Sequence, residues 1–194
     1  MKIKARIFVA IVIALAFPSC RSAEFNSRLI DVNGMVYDYS NRPVPYCEVT
    51  IGKRYKSSTD INGRFTVPRV PAGVYPLKGN KKGFEGYVDE VIIKDRGQII
   101  YFRIPSLNQL LNLVDEALTA NNLNAAEEYA ERAYNIDNNN IEMLFYYATV
   151  KFKQNDFHGA RIFLEMAGKL GSRDLYIDRF LNLLLEKQNE VRTN

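Results

Sequence analysis

Apolar and polar residues alternate with a period of two across the middle of this chain, and with a helical period across its C-terminal half. The period-two runs are Leu29 to Asp38, Tyr46 to Gly52, Arg64 to Val67, Val74 to Leu77, Tyr87 to Ile93 and Gln98 to Ile104. Turn-forming clusters separate them: Ser40-Asn41-Arg42-Pro43, Asp60-Ile61-Asn62-Gly63 and Pro71-Ala72-Gly73. In the second run Cys47, Val49 and Ile51 share one face, opposite Glu48 and Thr50. Short strands at this spacing predict a seven-stranded antiparallel β-sandwich over 28–105. Pro105 ends it. Leu107 then opens a helix to Ala120 that carries Leu110, Leu111, Leu113, Val114, Ala117 and Leu118. Further helices are predicted over Ala125–Ile136, Ile141–Lys153, Phe157–Leu170 and Asp174 to about Asn189. The fold class is therefore α+β, a two-domain chain with a sandwich followed by five helices.

The helical half repeats itself at a spacing of 34 residues. Leu110 recurs as Leu144, Ala126 as Ala160, Ala133 as Ala167 and Ile136 as Leu170. A two-helix unit of that period cannot bury its own apolar face and stacks on its neighbours. Two units and a terminal helix make a short array, which is expected to pack against the sandwich, against another chain, or against a second copy of itself.

The N-terminus carries a third pattern. Lys2, Lys4 and Arg6 precede an apolar run from Ile7 to Phe17, too short to span a bilayer and suited to a signal-peptide core. The run ends in Phe17-Pro18-Ser19-Cys20. This resembles the lipobox of bacterial lipoproteins, which implies a signal peptide over 1–19, diacylation of the Cys20 sulfur and a lipidated tether over 20–27. Two or three acyl chains hold firmly, at roughly 0.8 kcal/mol per buried CH₂. With Arg21 rather than Asp after the Cys, the resemblance points to the outer membrane, facing the periplasm.

Across the sandwich, Gly34-x-Val36-x-Asp38, Pro43-Val44-Pro45, Thr59-Asp60-x-Asn62-Gly63-x-Phe65, Val70-Pro71-Ala72-Gly73-x-Tyr75 and Gly83-Phe84 follow in order. This series resembles the carboxypeptidase regulatory-like domain, a family with a transthyretin-like (prealbumin-like) sandwich and no peptidase chemistry of its own. Gly34 and Gly63 suit positions of positive φ or close backbone approach. Asp60-x-Asn62-Gly63 is expected to be a structural turn, since the later ligands of a calcium loop are missing.

Over 106–190 the small residues Ala126, Ala133, Ala160 and Ala167, with Val114 and Ala148, resemble the tetratricopeptide repeat. That resemblance implies a terminal cap helix and a concave face bearing Leu111, Asp115 and Leu118 in the first unit. In the second it places Phe145, Thr149, Phe152 and Lys153 there, and on the cap helix Tyr176 and Arg179. Such a groove takes a peptide or a partner helix. Leu118, Phe145 and Phe152 could equally belong to the core.

Composition narrows the function. The net charge of +4 includes three cations that precede Cys20, leaving too little for a nucleic-acid binder. Residues 20–105 hold 14 Lys+Arg against 9 Asp+Glu, net +5, whereas 106–194 hold 9 against 13, net −4. Once Cys20 is acylated, Cys47 is left as a single thiol, expected to be a buried small hydrophobe. His158 stands alone without an orienting acid, and Asp156 is better placed to cap its helix. No metal-ligand spacing, phosphate loop or nucleophile elbow is present, so neither cofactor, metal nor catalysis is expected. The expected function is that of a membrane-anchored scaffold binding protein partners in an envelope assembly. The alternative is a lipoprotein that binds glycan or cell-wall polymer through sandwich tyrosines such as Tyr37, Tyr39, Tyr46 and Tyr55.

Overall fold

A computed structural model describes residues 29–171 and 175–193. Cys20 and the rest of the expected leader and tether lie outside the described residues. The alternating run at the start forms β1 (Leu29–Tyr37), with Ile30, Val32 and Val36 buried and Asp31 and Asn33 facing water. It is followed by β2 (Glu48–Ile51), β3 (Tyr55–Ser58), β4 (Arg64–Pro71), β5 (Gly73–Asn80), β6 (Tyr87–Ile93) and β7 (Ile99–Arg103). The strands build two sheets, one in the order β4-β1-β7 and one in the order β3-β2-β5-β6. One core joins them, with Val36, Cys47, Val49, Ile51 and Val70 fully buried.

The first sheet corrects the antiparallel expectation. β1 pairs β4 antiparallel but pairs β7 in parallel, with Gly34 opposite Ile100 and Tyr37 opposite Arg103. Alternation is identical for both senses of pairing. The parallel partner is reached only after the chain has passed through the second sheet, which supplies the long crossover that a parallel pair needs.

The turns are held by side chains bonding to backbone. Asp60 Oδ1 accepts from the amides of Asn62 (2.8 Å) and Arg64 (2.9 Å), and Gly63 sits at φ +72, where a Cβ would stand 2.6 Å from the Val36 carbonyl oxygen. Asp38 closes the same kind of turn, accepting from the amides of Ser40 and Arg42. Buried Thr59 donates to the Val44 carbonyl at 2.7 Å and accepts from the Cys47 amide at 2.8 Å, so no polar atom of its side chain is stranded.

The helical half consists of α1 (Leu107–Thr119), α2 (Leu123–Ile136), α3 (Ile141–Lys153), α4 (Phe157–Lys169) and α5 (Leu175–Thr193). Each helix packs on the next in sequence. The 34-residue echo extends to the backbone. Ser106 and Asn140 cap α1 and α3, Asn122 and Asp156 cap α2 and α4, and Asn121 and Asn155 both adopt positive φ in the intervening turns. The side chains of Ala126, Ala133, Ala160 and Ala167 are fully enclosed, as expected where helices approach closely. Among the described residues, no helix is long and apolar enough to cross a membrane.

Candidate functional site

The predicted concave face divides into three kinds of residue. Leu111 is buried, in one core with Leu107 and Leu110, and does not line a surface. Its helix turns that position toward α1's neighbours, a rotation that two repeats of sequence could not fix. Leu118 is half-buried against Val114, Ala117 and Val150. Phe145 and Phe152 are half-buried too, and Phe180 of α5 lies edge-on to both, with ring centroids 5.6 and 5.4 Å away. The terminal helix therefore fills much of the space in which a partner would have met these rings. Thr149 donates its hydroxyl to the Phe145 carbonyl at 2.9 Å. Asp115, Lys153 and Arg179 are exposed. Nothing about the Tyr176 side chain falls within the described residues.

A second site forms where the sandwich meets the helices. The β5–β6 loop lies against the start of α1: the Leu107 amide donates to the Gly83 carbonyl and the Glu85 amide to that of Pro105, each at 2.9 Å. Arg132 of α2 grips the carboxylate of Glu85 with two bonds, Nε to Oε1 at 2.8 Å and Nη2 to Oε2 at 2.9 Å. Its Nη2 also donates to the Tyr39 hydroxyl at 2.9 Å, and the guanidinium lies over the rings of Tyr39 and Tyr129. The Glu85 carboxylate holds the guanidinium even more firmly protonated than usual, against the opposing effect of burial. Beside this clamp opens a cleft of about 470 Å³, lined by Tyr39 and Arg103 from the sandwich and by Gln109, Asn112 and Glu116 from α1. Gln109 reaches across to donate to Ser40 Oγ at 2.9 Å. An adjoining hollow on the other side of Arg103 is lined by Tyr37, Asn41 and Tyr101. Of the tyrosines expected to face outward on the sandwich, Tyr37 and Tyr39 thus flank one surface, while Tyr46 stacks beside Lys81 and Tyr55 packs edge-on to Tyr75.

Arg132→Ala is expected to lower stability by about 2 kcal/mol, because a bidentate charged pair that is mostly shielded from water is lost and Glu85 is left without its partner. Arg132→Lys should recover less than half of that, since an ammonium cannot make the paired geometry. Chemical denaturation of the three proteins measures both steps.

Between α2 and α3, Lys151 and Gln154 both donate to the Glu127 carboxylate. The Lys151 bond and then the Gln154 bond hold the Glu127 carboxyl below its ordinary range. A depressed folded value means that this contribution to stability is fully present above the unfolded carboxyl range, about pH 4.3, and is lost as the pH falls through the folded value. Glu127→Gln should therefore flatten the acid limb of the stability profile, as read by melting temperature between about pH 3 and 6.

The ordered turns of the sandwich, with Gly34 and Gly63 in tight backbone contact and Asp60 closing its own loop, agree with one known family. Residues 31–100 match the family model of the carboxypeptidase regulatory-like domain. The helical half lies outside that match. None of the curated proteins matches the chain. Among solved structures, the chain is similar to one in the crystal structure of a type II cohesin–X-dockerin complex from Acetivibrio cellulolyticus carrying an N-terminal interface mutation. The identity is 17%, over 45% of this chain and 73% of that one, with a TM-score of 0.37. The corresponding complex with a C-terminal interface mutation aligns at 21% identity over 38% of this chain and 51% of that one, with a TM-score of 0.30. The junction clamp thus joins the segment that matches this family model to the helices that follow it. Its members Glu85 and Arg132 are 47 positions apart in sequence, and Tyr39 and Arg132 are 93 apart. Only the opposite net charges of the two halves hinted at it.

Proposed function

We propose that this chain is a lipid-anchored envelope protein of the periplasm, more specifically of the outer membrane, whose helical half is a short tetratricopeptide-like array that binds protein partners. The observation that carries this reading is the repetition of caps, turns and enclosed alanines at 34 residues in α1–α2 and α3–α4. Cys20, in its lipobox-like setting, is the proposed acylation site. The proposed role is binding rather than catalysis. With Phe180 edge-on to Phe145 and Phe152, the proposed partner-binding rim rests on the exposed side chains of Asp115, Lys153 and Arg179. Metabolic labelling with palmitate is expected to mark the full chain and to fail on Cys20→Ala. Cross-linking in cells at native expression is expected to recover a defined partner, and Asp115→Lys combined with Lys153→Glu to lose it. Recovery of the protein alone would overturn the scaffold reading.

The glycan reading has one observation in its favour. The cleft at the junction combines the exposed ring of Tyr39 with the amides of Gln109 and Asn112, the carboxylate of Glu116 and the guanidinium of Arg103, a donor and acceptor set suited to sugar hydroxyls. Binding to purified peptidoglycan that disappears with Tyr39→Ala would support it, and indifference of the binding to Tyr39→Ala would sink it.

A further inference from the structure

The two ends of the sandwich differ in a way that the scaffold reading does not use. The end that meets the helices holds Tyr39, Ser40 and Glu85. At the other end lie the start of β1, the β2–β3 turn, the β4–β5 turn and the β6–β7 loop, as the registers require: Leu29 pairs with Pro71, Gly73 with Ile93, and the Gly52 amide donates to the Pro76 carbonyl. Those turns carry Lys53, Arg54, Arg69, Lys94 and Arg96, all exposed. The acids at this end are Asp31, Asp95 and Glu90; Asp31 and Asp95 each accept a backbone amide, from Arg69 and Gly97 respectively, and Glu90 is exposed opposite Pro76, so cations outnumber acids five to three. The side chains of Lys53, Lys94 and Arg96 make no ion pair among the described residues. Apolar side chains flank the same end on the outer faces of the two sheets: Leu29 is 38% exposed, Val74 55% and Ile92 48%, the last two directly opposite each other in the β5–β6 pair.

We propose that this end of the sandwich rests on an anionic lipid bilayer, its five cations on the headgroups and its flanking aliphatic side chains at the boundary with the acyl region. Two observations choose a membrane as the occupant. One is charge: a cluster of cations, of which Lys53, Lys94 and Arg96 make no ion pair among the described residues, set beside exposed aliphatic groups, complements a surface of anionic headgroups over an apolar layer. The other is reach. The chain enters β1 at this end, and the eight residues 21–28 between Cys20 and Leu29 span at most about 28 Å when fully extended. An acyl group on Cys20 would thus hold this end, and not the helical end, against the bilayer. The inference deepens the reading of Cys20 as a lipid anchor. It adds an orientation: β1 runs about 26 Å from Leu29 to Tyr37, so the helices stand off from the membrane with their rim open to a partner.

The test uses the chain from Arg21 onward, which keeps every described element and lacks the acyl site, so its outcome is separate from that of palmitate labelling. It is expected to co-sediment with vesicles of equimolar phosphatidylglycerol and phosphatidylcholine, and not with pure phosphatidylcholine. Raising the salt from about 0.05 to about 0.5 M should release it. Each membrane-facing cation is worth about fivefold in partitioning, so Lys53→Ser, Lys94→Ser and Arg96→Ser together should weaken binding on the order of 100-fold. Lys82→Ser, Lys169→Ser and Arg64→Ser remove the same charge elsewhere and should leave most of the binding intact. Circular dichroism should be unchanged in both variants. Failure to bind the mixed vesicles, equal binding to pure phosphatidylcholine, or equal losses in the two variants would each overturn the proposal.

Discussion

Gly34→Ala is expected to cost the sandwich about 3 kcal/mol, at the upper end of what overpacking a core does. Gly34 lies in the middle of β1, and a Cβ there would stand 2.2 Å from Phe65 Cζ, 2.5 Å from Phe65 Cε1 and 2.6 Å from the Ile100 carbonyl oxygen. The first two contacts belong to a ring that is itself buried and packed on Phe102, with 6.3 Å between centroids. The third belongs to the backbone of β7, which is held in register against β1 on either side of this residue. Neither neighbour can yield alone: tilting Phe65 disturbs Phe102, and moving Ile100 parts the parallel pair. Gly79 provides the comparison. A Cβ there meets the Phe102 ring at 2.4 Å and the Tyr87 Cβ at 3.4 Å, but no backbone atom among its nearest contacts. Gly79→Ala should accordingly cost less, about 1–2 kcal/mol. At Gly86 a Cβ meets nothing within 4 Å, and Gly86→Ala should be close to neutral. Urea denaturation of the three variants ranks them. A Gly34→Ala protein within about 0.5 kcal/mol of the parent would contradict the close approach described here.

This graded sensitivity explains which parts of the sandwich were legible beforehand. β1 was readable because its apolar residues fall on every second position and one whole face is buried. β3 was not placed among the alternating runs, since Tyr55-Lys-Ser-Ser offers one large apolar side chain and none of its residues is buried; it is an edge strand held by its ladder to β2. The parallel pairing of β7 leaves no mark on local composition. Helix ends were legible to within a residue or two for α1 to α4, because Ser106, Asn122, Asn140 and Asp156 cap them from the preceding turns.

The candidate sites were less legible, for a different reason. Whether Leu111 faces a groove or a core depends on the rotation of α1 about its own axis, and that is settled by its contacts with α2 and α3 rather than by its own pattern. Phe145 and Phe152 belong to a plausible groove until α5 is placed, whereupon Phe180 covers them. Arg132 looked like any exposed helical cation until the fold brought Glu85 and Tyr39 to it. Long-range contacts of this kind depend on two modules meeting, and no window of sequence contains both partners.

Leu164→Ala should be the most damaging single change in the helical half, costing about 2–5 kcal/mol. Leu164 is fully buried in α4, in one core with Leu144, Ala160 and Leu184. One repeat earlier the equivalent position is Ala130, also buried, so the two units differ here by the volume that separates leucine from alanine. A first unit that closes over alanine does not imply that the second can. Met143, Leu144 and Ile177 surround the Leu164 cluster with long side chains, and the space left by truncation would persist as a cavity. Leu183→Ala, 39% exposed on α5, serves as the control and should stay within about 0.5 kcal/mol. The same experiment tests how firmly the modules are joined. With Arg132 gripping Glu85, loss of ellipticity at 222 nm and loss of hydrogen-exchange protection at the strand amides of the sandwich should shift together in Leu164→Ala. Adding Arg132→Ala should separate them, with the helical signal melting first and the sandwich retaining its own transition. If the two signals remain coincident in the double variant, the clamp is not what couples the sandwich to the helices.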